Sequence, residues 1–571
     1  MRTRTVRHVV VGSGCAGLNA ADWLLMLGEK DTVLVTEDMR SGTSRNTGSD
    51  KQTYYKLSLS GDDGDSPGAL GRMLAKPDVH GDTALCEAAS SAACFFRLAS
   101  LGVPFPMNEY GEYVGYQTDH DTRKRATSAG PLTSRFMTEA LERSALSHGL
   151  EVLDRTLAVR ILTDARGVTG LMCLDLERRD WLLLRCADII LCTGGPAHIY
   201  SSRVYPESQH GMSGLAFEAG ASGANLDCWQ YGLASVNFRW NLSGSYQQAL
   251  PRYVSVDEVG TEREFLAEAL GERNALALAF LKGYQWPFDP AKVKGSSLVD
   301  ILVKREEDLG RRVYMDYRRN PSGYAPEALS DEARAYLTNC GALGATPIER
   351  LAAINAPAID LYRSHGIDLT NEPLRVSVCA QHHNGGIAVD SDWQTEVPGL
   401  YVCGEAAGTF GKTRPGGTAL NSTQVGSMRA ARHAVKAARP CGTGDALPAV
   451  EVPAGDPARL TAHLQREMTR VAAFRRDEQG MEALLAEVGG ALTRTVPADV
   501  KDPQLEQRLL LRDILLTQRQ VLSAMLYDLR NGGTEGILRT KDGVSGRIPA
   551  RPFPERDLWF ERVWKKYRGE A

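Results

Sequence analysis

The 571-residue chain lacks the features that mark several large classes of protein. Its eleven cysteines include no Cys-x-x-Cys pair, which argues against a zinc ribbon or an iron–sulfur cluster and predicts no disulfide framework. Its 66 basic and 70 acidic residues leave a net charge of -4, so we expect no nucleic-acid partner. No apolar run approaches the roughly 18 residues of a membrane span. We therefore expect a soluble, cytoplasmic protein without a metal site.

The order of sequence patterns predicts more than one domain. The length exceeds what one hydrophobic core usually supports. The stretches "RHVVVGSGCAGLNAADWLLMLG" and "DTVLVTED" have the strand, glycine turn, helix and strand of a βαβ unit, which implies a parallel sheet. The alternation of strand and helix is lost over about 235–372 and resumes at "GGIAVD". Beyond a run rich in Pro, Gly and Ala, the remaining sequence has helical period.

The first βα turn has the pattern of a dinucleotide-binding site. Gly12, Gly14 and Gly17 form a G-x-G-x-x-G fingerprint, and Glu37 ends the second predicted strand, near the offset expected for an acid that binds ribose. The glycines permit a tight turn and a close approach of pyrophosphate to a helix N-terminus. An ordinary glycine-rich turn is the alternative, and the fingerprint by itself serves both NAD and FAD.

A second, distant segment favours FAD. The stretch "PGLYVCGEAAG" resembles the second FAD-contacting segment of two-domain flavoproteins, in which the glutamate, here Glu405, holds ribityl or ribose hydroxyls. Two segments that are far apart in the chain and converge on one elongated cofactor are a more specific signal than either segment alone.

Further motifs resemble those of one flavoprotein family. They are "RSGTSRNTG", "CTGG", "LDCWQYG", "NGGIAVD" and "GKTRPGGTALNS", and in order and spacing they are similar to the flavoprotein subunits of succinate dehydrogenase and fumarate reductase and to L-aspartate oxidase. The resemblance implies an α/β fold: a Rossmann-like FAD-binding domain (1–234 and 373–440), interrupted by a capping domain (235–372) and followed by a C-terminal helical domain (441–571). The FAD-binding residues it implies are Gly12, Gly14, Ala16, Gly17, Glu37, Ser44, Gly48, Gly194, Glu405, Ala419 and Leu420.

The resemblance also assigns roles near the flavin. Gly42 replaces the histidine that tethers the flavin covalently in succinate dehydrogenase, so we expect non-covalent FAD. Arg414 matches the family arginine that binds a substrate carboxylate, a task suited to the guanidinium fork. Ala419 and Leu420 open a helix whose backbone N–H groups are expected to face the isoalloxazine ring.

Two departures from the family concern the substrate. Gly232 and Gln381 stand where the family's dicarboxylate enzymes carry histidines, so fumarate, succinate and aspartate are not expected as substrates. Gln381 is followed by His382 and His383. Adjacent residues of an extended segment point to opposite sides, so these two are not expected to share a metal. We predict that His382 faces the flavin and substrate.

The expected reaction is flavin-dependent hydride transfer. One hypothesis is a reductase or dehydrogenase acting on a carbon–carbon bond beside a carboxylate or carbonyl, with Arg252 or Tyr253 as a candidate proton donor from the capping domain. The other is an amino-acid or amine oxidase; a non-enzymatic binding module is disfavoured by the retained flavin motifs and Arg414. A separate electron-transfer partner and a homo-oligomer are left open.

Overall fold

A computed structural model describes residues 2–61, 64–118, 121–443, 449–533, 535–555 and 560–569. The strands of the first segment are β1 Arg2–Thr5, β2 His8–Val11, β3 Thr32–Val35, β4 Tyr54–Tyr55, β5 Tyr116–Thr118, β6 Asp121–Thr127, β7 Glu151–Leu153, β8 Thr156–Asp164, β9 Gly167–Asp175, β10 Asp180–Arg185, β11 Asp188–Leu191, β12 Gly223–Ala224 and β13 Trp229–Ser235. Its helices are α1 Cys15–Met26, α2 Thr43–Asn46, α3 Pro67–Leu74, α4 Gly81–Ser100, α5 Thr133–Ser147 and α6 Gly214–Glu218.

The rest of the chain also contains both helices and strands. The predicted capping segment has β14 Trp240–Asn241, β15 Arg252–Val256, β16 Glu262–Arg263, β17 Arg312–Asp316, α7 Ser245–Gln248, α8 Phe265–Leu270, α9 Glu272–Tyr284, α10 Ser297–Asp308, α11 Asp331–Asn339 and α12 Pro347–Ser364. The chain then forms β18 Leu374–His383, β19 Gly386–Ile387, β20 Leu400–Val402 and α13 Thr418–Ala437. Its last part has β21 Glu451–Pro453, α14 Pro457–Val471, α15 Glu478–Thr493, β22 Thr495–Pro497, α16 Leu505–Asn531, β23 Ile537–Lys541, β24 Val544–Ile548 and α17 Phe560–Tyr567.

A five-stranded parallel sheet unites the two segments that were predicted to bind FAD. Its order is β20-β11-β2-β3-β7, and β20 pairs in parallel with β11 although about 200 residues separate them in the chain. Strands β2, β3 and β11 are buried along their whole length, as expected for a sheet covered on both faces. Helices α1 and α13 pack against each other beside this sheet. The predicted mixed α/β fold is confirmed, and the parallel strands bring their carboxyl ends to one edge.

A six-stranded antiparallel sheet lies where the predicted capping segment joins the two FAD-binding segments. Its order is β14-β13-β18-β17-β15-β16. Strands β13 and β18, which flank the predicted capping segment, pair with each other. The other four strands belong to that segment. The pairing of β13 with β18 is irregular at one point: Gln230 faces His382, and Tyr231 faces Ala380. The extra residue, Gln381, therefore forms a β-bulge in β18.

The C-terminal part is mainly helical, as its sequence period predicts, and it adds a hairpin. Helices α14, α15 and α16 pack together. The hairpin of β23 and β24 joins β12 through the pairing of Ala224 with Arg539. No helix of the described residues is long and apolar enough to cross a membrane.

Candidate active site

A cavity of about 1460 Å³ lies along the carboxyl ends of the parallel strands and extends to β13 and β18 of the six-stranded sheet. Of the residues predicted to bind FAD, it is lined by Gly12, Gly14, Ala16, Glu37, Ser44, Gly48, Gly194, Glu405, Ala419 and Leu420. Arg414, Gln381 and His382 line it as well. Ligands of open α/β sheets bind in this position, outside the carboxyl ends of the strands.

The glycine turn builds one end of the cavity from backbone. Gly12 has φ of +107°, and a Cβ there would lie 2.5 Å from the carbonyl oxygen of Cys192. Gly17 does not line the cavity; a Cβ on it would lie 1.8 Å from the carbonyl oxygen of Gly12, so it lets α1 pack on the turn. Gly14 precedes α1 without a side-chain cap. The N–H of Cys15 donates to Ser44 Oγ at 3.3 Å, and the first N–H groups of α1, which have no intrahelical acceptor, form a positive helix end that suits a pyrophosphate.

Glu37 lies just beyond β3, at the same end of the cavity. Its Oε2 is 2.7 Å from His210 Nδ1, while its Oε1 is buried without a hydrogen-bond partner among the described residues. Buried carboxylate oxygens are costly to leave unpaired. An unpartnered acceptor at this position fits a ligand that presents ribose hydroxyls.

Glu405 lies further along the cavity, directly after β20. Its Oε1 accepts hydrogen bonds from the Tyr205 hydroxyl and from the backbone N–H of His383, the latter at 2.8 Å. Burial raises the pKa of Glu405 to about 7, although these donors and the Arg414 cation oppose the shift. Its Oε2 lies 3.9 Å from His382 Nε2. The carboxylate thus lies on the cavity wall, close enough to Arg414 for the two charges to interact.

Helix α13 begins at the cavity. Gly417 precedes it without a side-chain cap, and Ala419 and Leu420 in its first turn line the wall. The first N–H groups of a helix have no intrahelical acceptor and form its positive end. This helix start can face a ring system that gains negative charge on reduction.

Arg414 is a half-buried cation that donates hydrogen bonds to neutral side chains. Its Nη2 donates to Gln230 Oε1 at 2.6 Å and its Nε donates to Asn384 Oδ1 at 3.2 Å, while the guanidinium lies 5.5 Å from the centre of the Phe410 ring. Burial lowers the pKa of Arg414 to about 10, so it stays charged at neutral pH. The Glu405 and Glu87 carboxylates act on this cation electrostatically and partly offset the effect of burial on its pKa. A half-buried cation whose hydrogen-bond partners are neutral amides is suited to an anionic or strongly polarised ligand.

The two adjacent histidines diverge. His382 lines the cavity, with Nδ1 2.9 Å from Asn384 Oδ1. His383 is buried behind the wall, stacked on Trp229 with ring centres 4.2 Å apart and with Nε2 3.2 Å from the carbonyl oxygen of Leu226. Burial lowers the pKa of both imidazoles, that of His383 to about 3. The described residues contain no group of three or more side chains that could hold a metal ion.

The structure does not bring Arg252 or Tyr253 to the cavity. Both belong to β15, which is separated from β18 by β17 in the six-stranded sheet. Arg252 pairs with Glu262 at 2.6 Å and with Glu264, and the buried Tyr253 hydroxyl donates to Gln247. We therefore assign no proton delivery to either residue.

Other residues at the site were not singled out by their sequence. Gln230 and Asn384, which hold Arg414, lie inside motifs that carry the family resemblance, so their positions could have been noticed. Phe474 and Arg476 reach the cavity from the loop between α14 and α15, and Phe474 packs against Phe288 of the predicted capping segment at 4.9 Å between ring centres. Nothing in the sequence of that loop signals a contact with a site built from earlier parts of the chain.

Comparison with known proteins defines the class of this chain. In fold it is similar to Sdh1 of Mycobacterium smegmatis in complex with UQ1, with a TM-score of 0.73 at 18% identity over 100% of this chain and 98% of that one. It is also similar to a mutant of E. coli quinol fumarate reductase FrdA, with a TM-score of 0.69 at 17% identity over 99% of each chain. These likenesses show a shared flavoprotein fold.

Sequence comparison then gives the family. The model of the FAD binding domain family matches residues 7–421, and the chain belongs to this family. It is 27% identical to L-aspartate oxidase of Mycobacterium leprae (strain TN) over 527 residues, 91% of this chain and 89% of that protein. It is 25% identical over 346 residues to one chain of the fumarate reductase (CoM/CoB) of Methanothermobacter marburgensis, 59% of this chain and 55% of that protein. The protein is an FAD-dependent oxidoreductase of the group that includes fumarate reductase and L-aspartate oxidase, and the predictions of an FAD-dependent oxidoreductase and of FAD as the cofactor are confirmed.

Proposed function

We propose that the protein reduces or desaturates a carbon–carbon bond beside a carboxylate or carbonyl group. The observation that carries this proposal is Arg414, a half-buried cation on the wall of the cavity whose hydrogen-bond partners are the neutral amides of Gln230 and Asn384. Its guanidinium can bind and orient a carboxylate or polarise a carbonyl oxygen. Electron withdrawal by that oxygen prepares the neighbouring carbon–carbon bond for hydride transfer.

The residues that would hold FAD follow the cavity in order. The glycine turn and the start of α1 suit the pyrophosphate, Glu37 and Glu405 suit sugar and ribityl hydroxyls, and the start of α13 suits the flavin ring. Bound FAD supplies the hydride donor or acceptor, N5. The chain's own contribution is to orient the substrate by Arg414 and to exclude water with the aromatic side chains Trp286, Phe288 and Phe474 of the opposite wall.

FAD is proposed to be bound without a covalent tether. Gly42 lines the cavity at the position of the family's tethering histidine and has no side chain to form a bond. Acid precipitation of the holoenzyme should release the yellow flavin into the supernatant. Flavin that stays in the washed protein pellet would contradict this assignment.

Fumarate, succinate and aspartate are not the proposed substrates. Gly232 and Gln381 replace the two histidines that the resemblance associates with dicarboxylates. Turnover of any of the three at ordinary enzyme rates, with a median near ~10 per second, would overturn this part of the proposal.

The reductase can be tested with a screen that needs no knowledge of the electron partner. Enzyme reduced chemically under anaerobic conditions is mixed with unsaturated acids and enones, and the return of the oxidised flavin absorption band is followed. We expect reoxidation by members of one compound class, with the saturated product formed in equal amount. Mixing with the saturated counterparts serves as the control, and failure of every unsaturated compound to reoxidise the flavin would contradict the reductase proposal.

An amino-acid or amine oxidase is the second candidate, favoured by the similarity to L-aspartate oxidase along most of the chain. Photoreduced enzyme mixed with oxygen separates the two. Fast reoxidation with one peroxide per flavin supports the oxidase. Slow reoxidation by oxygen, together with fast reoxidation by an unsaturated compound, supports the reductase.

A further inference from the structure

The β-bulge in β18 places two neighbouring side chains on the same wall of the cavity. On a regular strand Gln381 and His382 would point to opposite faces. Because Gln381 is the extra residue between the pairs Gln230 with His382 and Tyr231 with Ala380, the strand is locally re-aimed. Both Gln381 and His382 therefore line the cavity that Arg414 also lines, and His382 shares the Asn384 oxygen with Arg414.

Gly232 makes the position of Gln381 possible. A Cβ on Gly232 would lie 2.8 Å from Gln381 Oε1 and 2.9 Å from its Nε2, so the amide lies against the glycine backbone. Nε2 donates to the carbonyl oxygen of Leu233 at 3.3 Å, and a carbonyl oxygen can only accept, which fixes the orientation of the amide. Oε1 is left as a buried acceptor without a partner among the described residues.

The hydrogen bonds around Asn384 fix the state of His382 in the same way. Arg414 Nε can only donate, so the atom it contacts is the oxygen of the Asn384 amide. His382 Nδ1 contacts that same oxygen and must carry the hydrogen. Burial and the Arg414 cation hold the pKa of His382 well below its ordinary value, so the ring is neutral. Nε2 then presents a lone pair, again without a hydrogen-bond partner among the described residues.

We propose that Gln381 Oε1 and His382 Nε2 act as two acceptors in the cavity that Arg414 lines, and that they select a substrate carrying an amino, amide or hydroxyl hydrogen rather than a second carboxylate. A second carboxylate can only accept hydrogen bonds, so it would be repelled by these two acceptors. A substrate N–H or O–H group would instead donate a hydrogen bond to one of them. Sites built to hydrogen-bond a substrate group discriminate strongly against analogues that lack it, because their buried polar atoms are then unpaired. This inference rests on the proposed function for the place of the substrate, since it takes Arg414 as the anchor.

The inference is tested by ligand binding, which needs no turnover. Holoenzyme is titrated with butyrate, with succinate and with four-carbon acids bearing an amino or hydroxyl group at C2, C3 or C4, and Kd is read from the change in flavin absorption. We expect at least one amino or hydroxy acid to bind about tenfold more tightly than butyrate, as expected for one added hydrogen bond. Succinate should bind no more tightly than butyrate. Tightest binding by succinate, or no spectral response to any of these acids, would overturn the inference.

Variants locate the selectivity. Gln381→Leu removes the amide and should lower the preference for the selected acid over butyrate by about tenfold, with the Kd of butyrate and the FAD content unchanged. Gly232→Ala keeps Gln381 but forces its amide aside, and should reduce the same preference; it provides a second route if Gln381→Leu folds poorly. Gln479→Leu is the matched control, because Gln479 is exposed in α15 and does not line the cavity, and it should leave every Kd as in the wild type. Equal weakening of butyrate and the selected acid by both Gln381→Leu and Gly232→Ala would count against selection by Gln381.

Failure of this inference can be told from failure of the proposed function. If the binding preference holds but no unsaturated compound reoxidises the reduced flavin, the reductase is wrong and the selectivity stands. If the reductase is found and unsaturated acids lacking any N–H or O–H donor react as fast as those that carry one, the selectivity fails and the reductase stands.

Discussion

The two ends of the cavity are built in different ways. At the dinucleotide end, glycine backbone and a helix start shape the site, and its acid, Glu37, follows a strand of the same βαβ unit. At the substrate end, Arg414 is held by Gln230 and Asn384, which come from distant parts of the chain. The dinucleotide end depends on glycines, which have no side chains. The substrate end depends on hydrogen bonds between side chains. Substitutions should therefore act on cofactor content at one end and on turnover or specificity at the other.

The largest effect is expected at the glycine turn. Gly17→Ala would place a Cβ 1.8 Å from the carbonyl oxygen of Gly12, so α1 would have to move away from the turn. We expect loss of FAD and a low yield of folded protein, measured by flavin absorbance per protein and by thermal unfolding. Gly489→Ala, in α15 where a Cβ would meet nothing within 4 Å, is the control. A Gly17→Ala protein with full FAD content would contradict the account of this end.

Glu405, on the wall of the cavity, should make the stability of the FAD-free protein depend on pH. Its carboxyl has an ordinary pKa of 4.5 and a folded-state pKa of about 7, so between these values the folded state keeps a proton that the unfolded state has released. The free energy of unfolding should therefore fall as pH rises from about 4.5 to about 7, by up to about 3 kcal/mol for this group. Glu405→Gln should remove that part of the decline in denaturant unfolding measured at pH 5, 6 and 7. Glu332→Gln, at an exposed position of α11, is the control; an unchanged decline in Glu405→Gln would refute the assignment.

Arg414→Lys should show most directly that the two ends of the cavity have different roles. Lysine keeps the charge but loses the planar fork, so turnover with a substrate found in the screen should fall about ten- to a hundredfold, the worth of one charge-assisted hydrogen bond. FAD content should stay at the wild-type level, because Arg414 contacts neither the glycine turn nor Glu37. Full activity would mean that the family likeness extends to the cofactor only. Loss of FAD would place Arg414 in the flavin wall instead.

The smallest effect is expected from His382→Gln. A carboxamide oxygen can replace the acceptor that His382 Nε2 offers, so we expect turnover to fall less than in Arg414→Lys, with FAD retained. His383→Gln is an informative comparison, since it would break the stacking on Trp229 and should lower thermal stability more than turnover. If His382→Gln costs more activity than Arg414→Lys, the imidazole does more than orient the substrate.

The cofactor end of this protein could be predicted from the amino-acid sequence alone. The fingerprint of Gly12, Gly14 and Gly17 works through backbone geometry inside one βαβ unit, and local sequence encodes such geometry because the contacts are close in the chain. The two FAD segments, their joining in one parallel sheet, and the family could be predicted from motifs of this kind. His382 rather than His383 could be chosen only as a hypothesis, since alternation separates the two but does not say which one faces inward.

The substrate end could be described only from the folded chain. That Gln381 shares a wall with His382 depends on a β-bulge, and a bulge is set by the pairing of β18 with β13 about 150 residues earlier. The same holds for Arg252 and Tyr253, whose distance from the cavity follows from the strand order of the six-stranded sheet. Side-chain hydrogen bonds between distant segments form only after the chain has folded, so their donors and acceptors cannot be matched from a linear pattern. The sequence indicated that the family's dicarboxylate histidines are missing. For the reason just given, the folded structure was needed to show which acceptors line the cavity together with Arg414.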